Sequence, residues 1–434
     1  MFQHLLEYEA DKSFAALLPI GVFIVLFVGS GLVTGDFYLM PTTLAFLIAL
    51  LVALLQNKRF TFEQKLYVAS SGAGDSNIIT MCLIYLLAGI FSAVVTAAGG
   101  VTSTVNLALS FIPAYLAVMG LFIMGCFISI SMGTSMGTIA ALAPIAIDIS
   151  GKTGYTMPLC IGAVVCGAMF GDNLSMISDT TIAAVRTQGC AMKDKFLANI
   201  KIVMPAAIIT ALIFLVIASG SDYKQSTDTS YNIIQVVPYL LILLGALAGV
   251  NVFTLLIGGS VLSVLAGMYT GSLAANKILA AVGSGLSSMY EITIIAILAS
   301  CISALVRMNG GFAWILHYVQ NSVSGFRGAQ LGIGILVLLM DIATANNTIA
   351  IVLAGPLAQR IASTYNISPK RSASLLDIFA SVGQGLLPYG AQLLSAAALT
   401  GLTPLAIMPY LFYPVLMCVS VLIFIFFSKE ERIV

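Results

Sequence analysis

The chain has 434 residues, of which 60% are hydrophobic and 8% charged, with a net charge of +1 and a mean hydropathy of +1.06. Soluble domains carry about 25% charged residues, so a water-facing globule is excluded and bilayer hydrocarbon is the solvent that suits this composition. The near-neutral balance offers no basic field for nucleic acid, and no Gly-x-x-x-x-Gly-Lys-Ser/Thr segment is present to cradle ATP phosphates.

Scarce residues narrow the field further. Two histidines, His4 and His317, argue against a His-based metal or haem site. Seven scattered cysteines without a Cys-x-x-Cys pair argue against a disulfide framework. No cofactor and no catalytic chemistry are expected. The first twelve residues are acidic rather than basic, unlike a cleavable signal peptide.

A spanning helix needs about 20 apolar residues. In chain order, full spans are expected at 14–34, 39–56, 77–98, 111–132, 199–219, 233–250, 252–270, 289–306, 329–345 and 404–427. Residues 57–76 read as an interfacial connector. The stretches 136–149, 158–170, 347–363 and 374–399 are short or broken by Gly, Pro, Asn and Asp, and read as half-helices or re-entrant hairpins. Lys and Arg favour cytoplasmic loops, and an inside N-terminus puts most of the basic residues there, with both termini cytoplasmic. Arg360, Lys370 and Arg371 fall on one outer loop against that rule.

An internal repeat is the most informative feature. Gly99-Gly100 matches Gly310-Gly311, Thr138-Ile139-Ala140 matches Thr348-Ile349-Ala350, and Pro144 matches Pro356. Gly171-Asp172-Asn173-Leu174 then matches Gly383-Gln384-Gly385-Leu386. The trace runs the two sets in opposite senses, as in inverted-repeat transporters. The expected fold is an all-α polytopic membrane protein, an inverted-repeat secondary transporter with broken helices and re-entrant hairpins. Its divisions are N-terminal helices and connector (1–76), first repeat (77–220), linking helices (221–288), second repeat (289–427) and a cytoplasmic tail (428–434).

Residues 131–138, Ser-Met-Gly-Thr-Ser-Met-Gly-Thr, would make a poor span. Thr134, Ser135, Thr138 and freed carbonyls offer hard oxygen ligands for Na+, while small-residue helix packing explains the composition equally well. Residues 171–181 hold Asp172, Asn173, Ser175, Ser178, Asp179 and Thr180 between apolar flanks. A carboxylate at the bilayer centre costs at least about 2.5 kcal/mol, a cost that persists where the group binds an ion or proton. Asp172, Ser175 and Asp179 at i, i+3, i+7 share one helical face, and are the Na+ ligand candidates. In the second half, Asp341, Asn346, Asn347 and Thr348 interrupt an apolar run, as at an unwound helix facing cargo. Asp377 reads either as a pathway acid or as a partner of Arg371. Asp148 and Lys152, four apart, read as a structural pair.

These residues resemble the NhaC family of Na+/H+ antiporters. Its Gly-Asp-Lys-Leu-Ser-Pro-Leu-Ser-Asp-Thr-Thr motif is similar to residues 171–181, with Asn173 at the Lys and Met176 at the Pro. Its Thr-Gly-Ser-Ser-Trp-Gly-Thr motif is similar to residues 132–138, with Met136 at the Trp. The resemblance implies transport across a bacterial cytoplasmic membrane, Na+ and H+ as coupling ions, and a scaffold holding a mobile transport domain. The leading expectation is a Na+/H+ antiporter working by alternating access. The alternative is a Na+- or H+-coupled carrier of an amino acid or small carboxylate. The partners expected are the lipid bilayer and a small ion or organic solute, and a homodimer is left open.

Overall fold

The computed structural model describes residues 11–427 apart from 31–39, 112, 177, 221–229 and 249. The expectations at the N-terminal twelve residues, at 31–34 and for the tail 428–434 therefore fall wholly or mostly outside the described residues. The described chain is almost entirely helical, and six of its helices are long and apolar enough to cross a membrane by length and composition.

After a short turn, α1 (Leu18–Ile24) and α2 (Thr42–Leu55) lead to α3 (Phe62–Ala73). The connector expected at 57–76 thus holds a helix. A capping box between Thr61 and Gln64 starts it, and Val68 and Ala69 bury against Cys301, Leu305 and Met308. The first set of helices is α4 (Ser76–Ala97), α5 (Gly100–Phe111), α6 (Ala117–Met132), α7 (Ser135–Thr153), α8 (Met157–Leu174), α9 (Asp179–Gln188) and α10 (Met192–Gly220). Helices α11 (Ile233–Leu247), α12 (Val252–Thr270) and α13 (Ile278–Ser288) follow. The second set is α14 (Tyr290–Met308), α15 (Gly311–Ser322), α16 (Gly325–Thr344), α17 (Asn347–Thr364), α18 (Pro369–Leu386) and α19 (Ala391–Thr400). A bend through α20 (Pro404–Ile407) enters α21 (Phe412–Phe427).

The two sets share element order and even element length. Helices α8 and α18 have 18 residues each, and α9 and α19 have 10 each. Helix starts Ser135 and Asn347, prolines Pro144 and Pro356, and terminal glycines Gly189 and Gly401 are each 212 positions apart. In this register Thr138 corresponds to Ala350, so the expected match of Thr138 to Thr348 is two residues short. Asp172 corresponds to Gln384, and Ser129 to Asp341.

A ten-residue helix is about 15 Å long, half the hydrocarbon thickness, so α9 and α19 are half-spans. They interlock the two sets: α9 packs on α17 and α18, and α19 packs on α7 and α8. Within the first set α6 lies against α8. Glycines allow that approach: a Cβ on Gly167 would stand 2.2 Å from the Phe122 carbonyl oxygen, and one on Gly171 2.4 Å from Ser129 Cβ.

The span expected at 404–427 is corrected. The chain between Pro369–Thr400 and Pro404–Tyr410 turns by 98°, and Pro404, Pro409 and Pro414 mark a corner that an apolar average conceals. Helices α5, α13 and α15 escape the hydropathy reading, because Ser, Thr, Asn and Gly dilute their apolar runs.

Candidate functional site

Four helix breaks converge on one cavity of about 370 Å³. Helix α6 ends at Gly133, whose left-handed φ of 68° suits glycine, and Thr134 caps α7 by accepting from the Gly137 N–H. Its counterpart ends at Ala345 with φ of 52°, a conformation strained for a side chain bearing Cβ, and Asn346 caps α17 by accepting from the Ile349 N–H. Helix α8 stops at Leu174, the backbone at Ser175 and Ser178 is extended, and α9 starts at Asp179. Between α18 and α19 the break spans Leu387–Gly390.

Asp172, in the last turn of α8, is the best-defined group. Its Oδ1 accepts from Ser178 Oγ at 2.5 Å and its Oδ2 from Ser135 Oγ at 2.8 Å. Ser178 and Thr180 hydroxyls are 2.9 Å apart, and Gln392 Nε2 donates to Ser135 Oγ at 3.0 Å. Each hydroxyl keeps lone pairs while donating to the carboxylate, so the cluster presents several oxygens to one point. Asp179 lines the same cavity and is exposed within it. The starts of α7, α9, α17 and α19 all line it too, and their positive dipole ends suit the carboxylates they face. No lysine or arginine is among the described residues lining it.

Nine of the candidates read from the sequence come together in the cavity: Thr134, Ser135, Asp172, Ser178, Asp179, Thr180, Asn346, Asn347 and Thr348. Four do not line it. Thr138 is fully buried and donates to the Thr134 carbonyl. Asp341 lies behind Gln384. Asn173 turns away, toward Asp377 and Asn199. Ser175 is 1% exposed and donates to the Ile130 carbonyl at 2.8 Å, anchoring the break on α6. The shared helical face for Asp172, Ser175 and Asp179 is therefore corrected, because the helix breaks between the first and last of them. Gln384, Gln392, Asn251 and Phe253 also line the cavity, beyond the candidates. The repeat register points to the first two, as the positions matching Asp172 and Thr180.

Beside the break lies a dry ion pair. Lys195 Nζ is 2.6 Å from Asp377 Oδ2, with both side chains at or below 1% exposure. Lys195 also donates to the Asn173 carbonyl at 2.8 Å and to Thr181 Oγ1 at 2.7 Å, so it holds the end of α8 and the first turns of α9 together. Asn173 and Asn199 amides complete Asp377 Oδ2 at 2.9 and 3.0 Å. The expected pairing of Asp377 with Arg371 is thereby corrected: its partner is Lys195, and Arg371 stands over the Phe326 and Phe424 rings. Lys195 is accordingly no loop charge. Asp148 and Lys152 do form their pair, at 2.6 Å.

The sequence model of the Na+/H+ antiporter family matches residues 8–219 and 229–429. The chain belongs to that family. Among relatives, it is 28% identical over 204 residues to a malate-2H(+)/Na(+)-lactate antiporter of Bacillus subtilis, a match covering 47% of this chain and 43% of that one. It thus spans less than half the length of that relative. It is 25% identical over 377 residues to the Na(+)/H(+) antiporter NhaC of the same organism, covering 78% and 81% of the two chains. It is 22% identical over 335 residues to the arginine/ornithine antiporter ArcD of Halobacterium salinarum, covering 68% of each. This antiporter-family chain is a multi-pass membrane protein, and its NhaC-type motifs sit on the broken helices α6 to α9. Among the described residues no group of three or more His, Cys, Asp or Glu is placed to hold a metal ion.

Proposed function

We propose that this protein exchanges Na+ for H+ across a bacterial cytoplasmic membrane by alternating access, with Asp172 as the group for which the two ions compete. The supporting observation is the Asp172 cluster: a half-buried carboxylate at a helix break, held by two hydroxyls, in a cavity with a second carboxylate and, among the described residues, no lysine or arginine. Na+ prefers hard oxygen ligands. Asp172, Ser135 and Ser178 supply three, and Thr180 and Asp179 stand within the same cavity. One carboxylate cannot hold Na+ and a proton together, so each ion leaves when the other binds, and competition alone couples the fluxes.

In this reading a mobile transport domain moves against a scaffold, and the cavity is presented to each side in turn. Asp179, exposed at the start of α9, adds a second carboxyl group to the cation path through the cavity. Thr134, Asn346, Asn347, Thr348 and Gln392 complete the polar wall.

Proteoliposomes with a preset pH gradient and an internal pH dye test this. Added Na+ collapses the gradient in the parent protein, and Asp172→Asn abolishes the response. Full activity in Asp172→Asn removes the site. Adding small carboxylates and amino acids to the same vesicles separates ion exchange from organic-solute exchange, which the names of two relatives describe for those proteins.

A further inference from the structure

A second opening lies along the same helix as the Asp172 cavity. That cavity takes Thr80, Met81 and Ile84 from the first half of α4. A groove of about 750 Å³ takes Gly89, Ser92 and Thr96 from the second half. Helix α4 is long and apolar enough to cross the membrane, so the two openings stand at different depths. Helix α19 repeats the arrangement: Ala391 and Gln392 line the cavity, and Ala398 and Leu399 line the groove. The two helices give the same separation, about 8 Å from Ile84 to Gly89 on α4 and about 9 Å from Gln392 to Ala398 on α19.

The groove suits water rather than lipid. Ser92, Thr96, Ser272, Ser284 and Ser288 put hydroxyls on its wall, and Lys277 stands at the start of α13. Ser288, at the other end of that helix, is about 16 Å further on. By contrast, the groove between α10 and α21 is walled by Ile202, Ile209, Ile423 and Phe427, as suits acyl chains. Polar side chains at membrane depth face protein or water, not hydrocarbon.

A thin sealed layer separates the two openings. Within it Tyr85, Ala88 and Met289 are each 1% exposed, and Leu393 and Ala396 are fully buried. Tyr85 crosses the layer: its hydroxyl donates to the Ala391 carbonyl at 3.5 Å, joining α4 to the first residue of α19. Helices α4 and α13 pack backbone to backbone, since a Cβ on Gly285 would stand 2.4 Å from the Gly89 carbonyl oxygen. The half-span α19 closes against that wall. Away from this layer the cavity is open, and Thr80, Asp179 and Asn251 on its wall are exposed.

We propose that the serine-lined groove is the ion path to the opposite membrane face and that Tyr85 is its gate. This deepens the exchange reading given above and rests on it. In the present state the cavity is open past Asp179 and sealed toward the groove. Withdrawal of α19 from the α4–α13 wall breaks the Tyr85–Ala391 hydrogen bond and joins cavity to groove, so that the Asp172 cluster meets the other side. Gln392, next to Ala391, donates to Ser135, and Ser135 donates to Asp172. The helix that carries the gate's acceptor thus also carries a hydrogen bond to the ion cluster. Tyr85 is a positioning residue: it sets which face the cavity meets and touches no ion.

Thiol accessibility tests the path and the gate separately. Ser92→Cys in the groove and Thr80→Cys in the cavity are made in the full chain. A membrane-impermeant cationic thiol reagent is added outside right-side-out and inverted membrane vesicles in turn, and labelling of the parent's own cysteines is subtracted. Ser92→Cys is expected to react from one face and Thr80→Cys from the other. Reaction of both from the same face, or no reaction at Ser92→Cys, overturns the path. Ser395→Cys reports the gate, since Ser395 is 2% exposed and lies between the two openings on α19. Its labelling from the groove face is expected to rise about fivefold when Tyr85→Phe is added, because losing one hydrogen bond shifts a two-state equilibrium by about that factor. An unchanged rate overturns the gate. Absence of Na+-driven proton flux in the parent overturns the exchange reading whatever the labelling shows, so the two failures are distinct.

Discussion

Removing Lys195 removes the cation that three separate segments share. In Lys195→Met the methionine side chain has nearly the length of the lysine stem, so the cavity left is small and the main loss is electrostatic. Asp377 would keep only the Asn173 and Asn199 amides, while its charge stays buried at 0% exposure. Breaking a buried pair from one side costs about 3–5 kcal/mol, because the remaining charge is uncompensated. The hydrogen bonds to the Asn173 carbonyl and Thr181 hydroxyl are lost as well, at about 1 kcal/mol each. Neutralising the partner removes the larger share: Lys195→Met with Asp377→Asn should recover about 2–4 kcal/mol of the single-variant loss. Reversible unfolding of the purified protein in mixed micelles, titrated with denaturing detergent, measures all three differences. If the double variant is no more stable than Lys195→Met, the pair is not electrostatically coupled, and Lys195 is only a tether for the break.

Other positions give sharper single tests. Asn173→Lys in the Lys195→Met background returns an ammonium to Asp377 and should restore part of the lost stability, read by the same unfolding curves. Gly171→Ala forces a Cβ into Ser129 and the Cys126 carbonyl, so α8 must shift from α6 at about 1–3 kcal/mol, and the KM for Na+ should rise because Asp172 is the next residue. Ser175→Ala loses the bond to the Ile130 carbonyl at about 1 kcal/mol with the Na+ KM unchanged, whereas Ser135→Ala raises that KM. Ala345→Gly relieves a left-handed alanine and should raise the unfolding midpoint by an amount worth about 1 kcal/mol.

Which parts of this molecule can be read from its sequence follows from the range of the forces involved. The spans at 77–98, 252–270 and 289–306 stand out because solvation by lipid acts on each segment alone, and the corresponding helices are Ser76–Ala97, Val252–Thr270 and Tyr290–Met308. The breaks are legible for the same local reason: Gly133, Asn346 and the Asp172–Asp179 stretch are poor spanning residues wherever they occur. Partner choice is different. Lys195 and Asp377 meet only because α10 and α18 pack together, and nothing near either residue in the chain announces the other. Arg371, close to Asp377 in sequence, is the natural wrong partner.

The division of labour inside residues 171–181 has the same origin. Composition marks the whole stretch as polar and costly in lipid, and it cannot say which side chains satisfy the backbone and which face cargo. Once the helix breaks, its residues are dealt to opposite duties: Asn173 and Ser175 bind the protein behind them, while Asp172, Ser178 and Asp179 face the cavity. A broken helix needs both sets, since its loosened carbonyls and amides must be held by protein before any can be spared for an ion. The structural half of the motif is therefore a condition of the functional half. Substitution at Ser175 should consequently act on stability alone, and substitution at Ser135 on ion affinity, although both serines belong to similar polar runs.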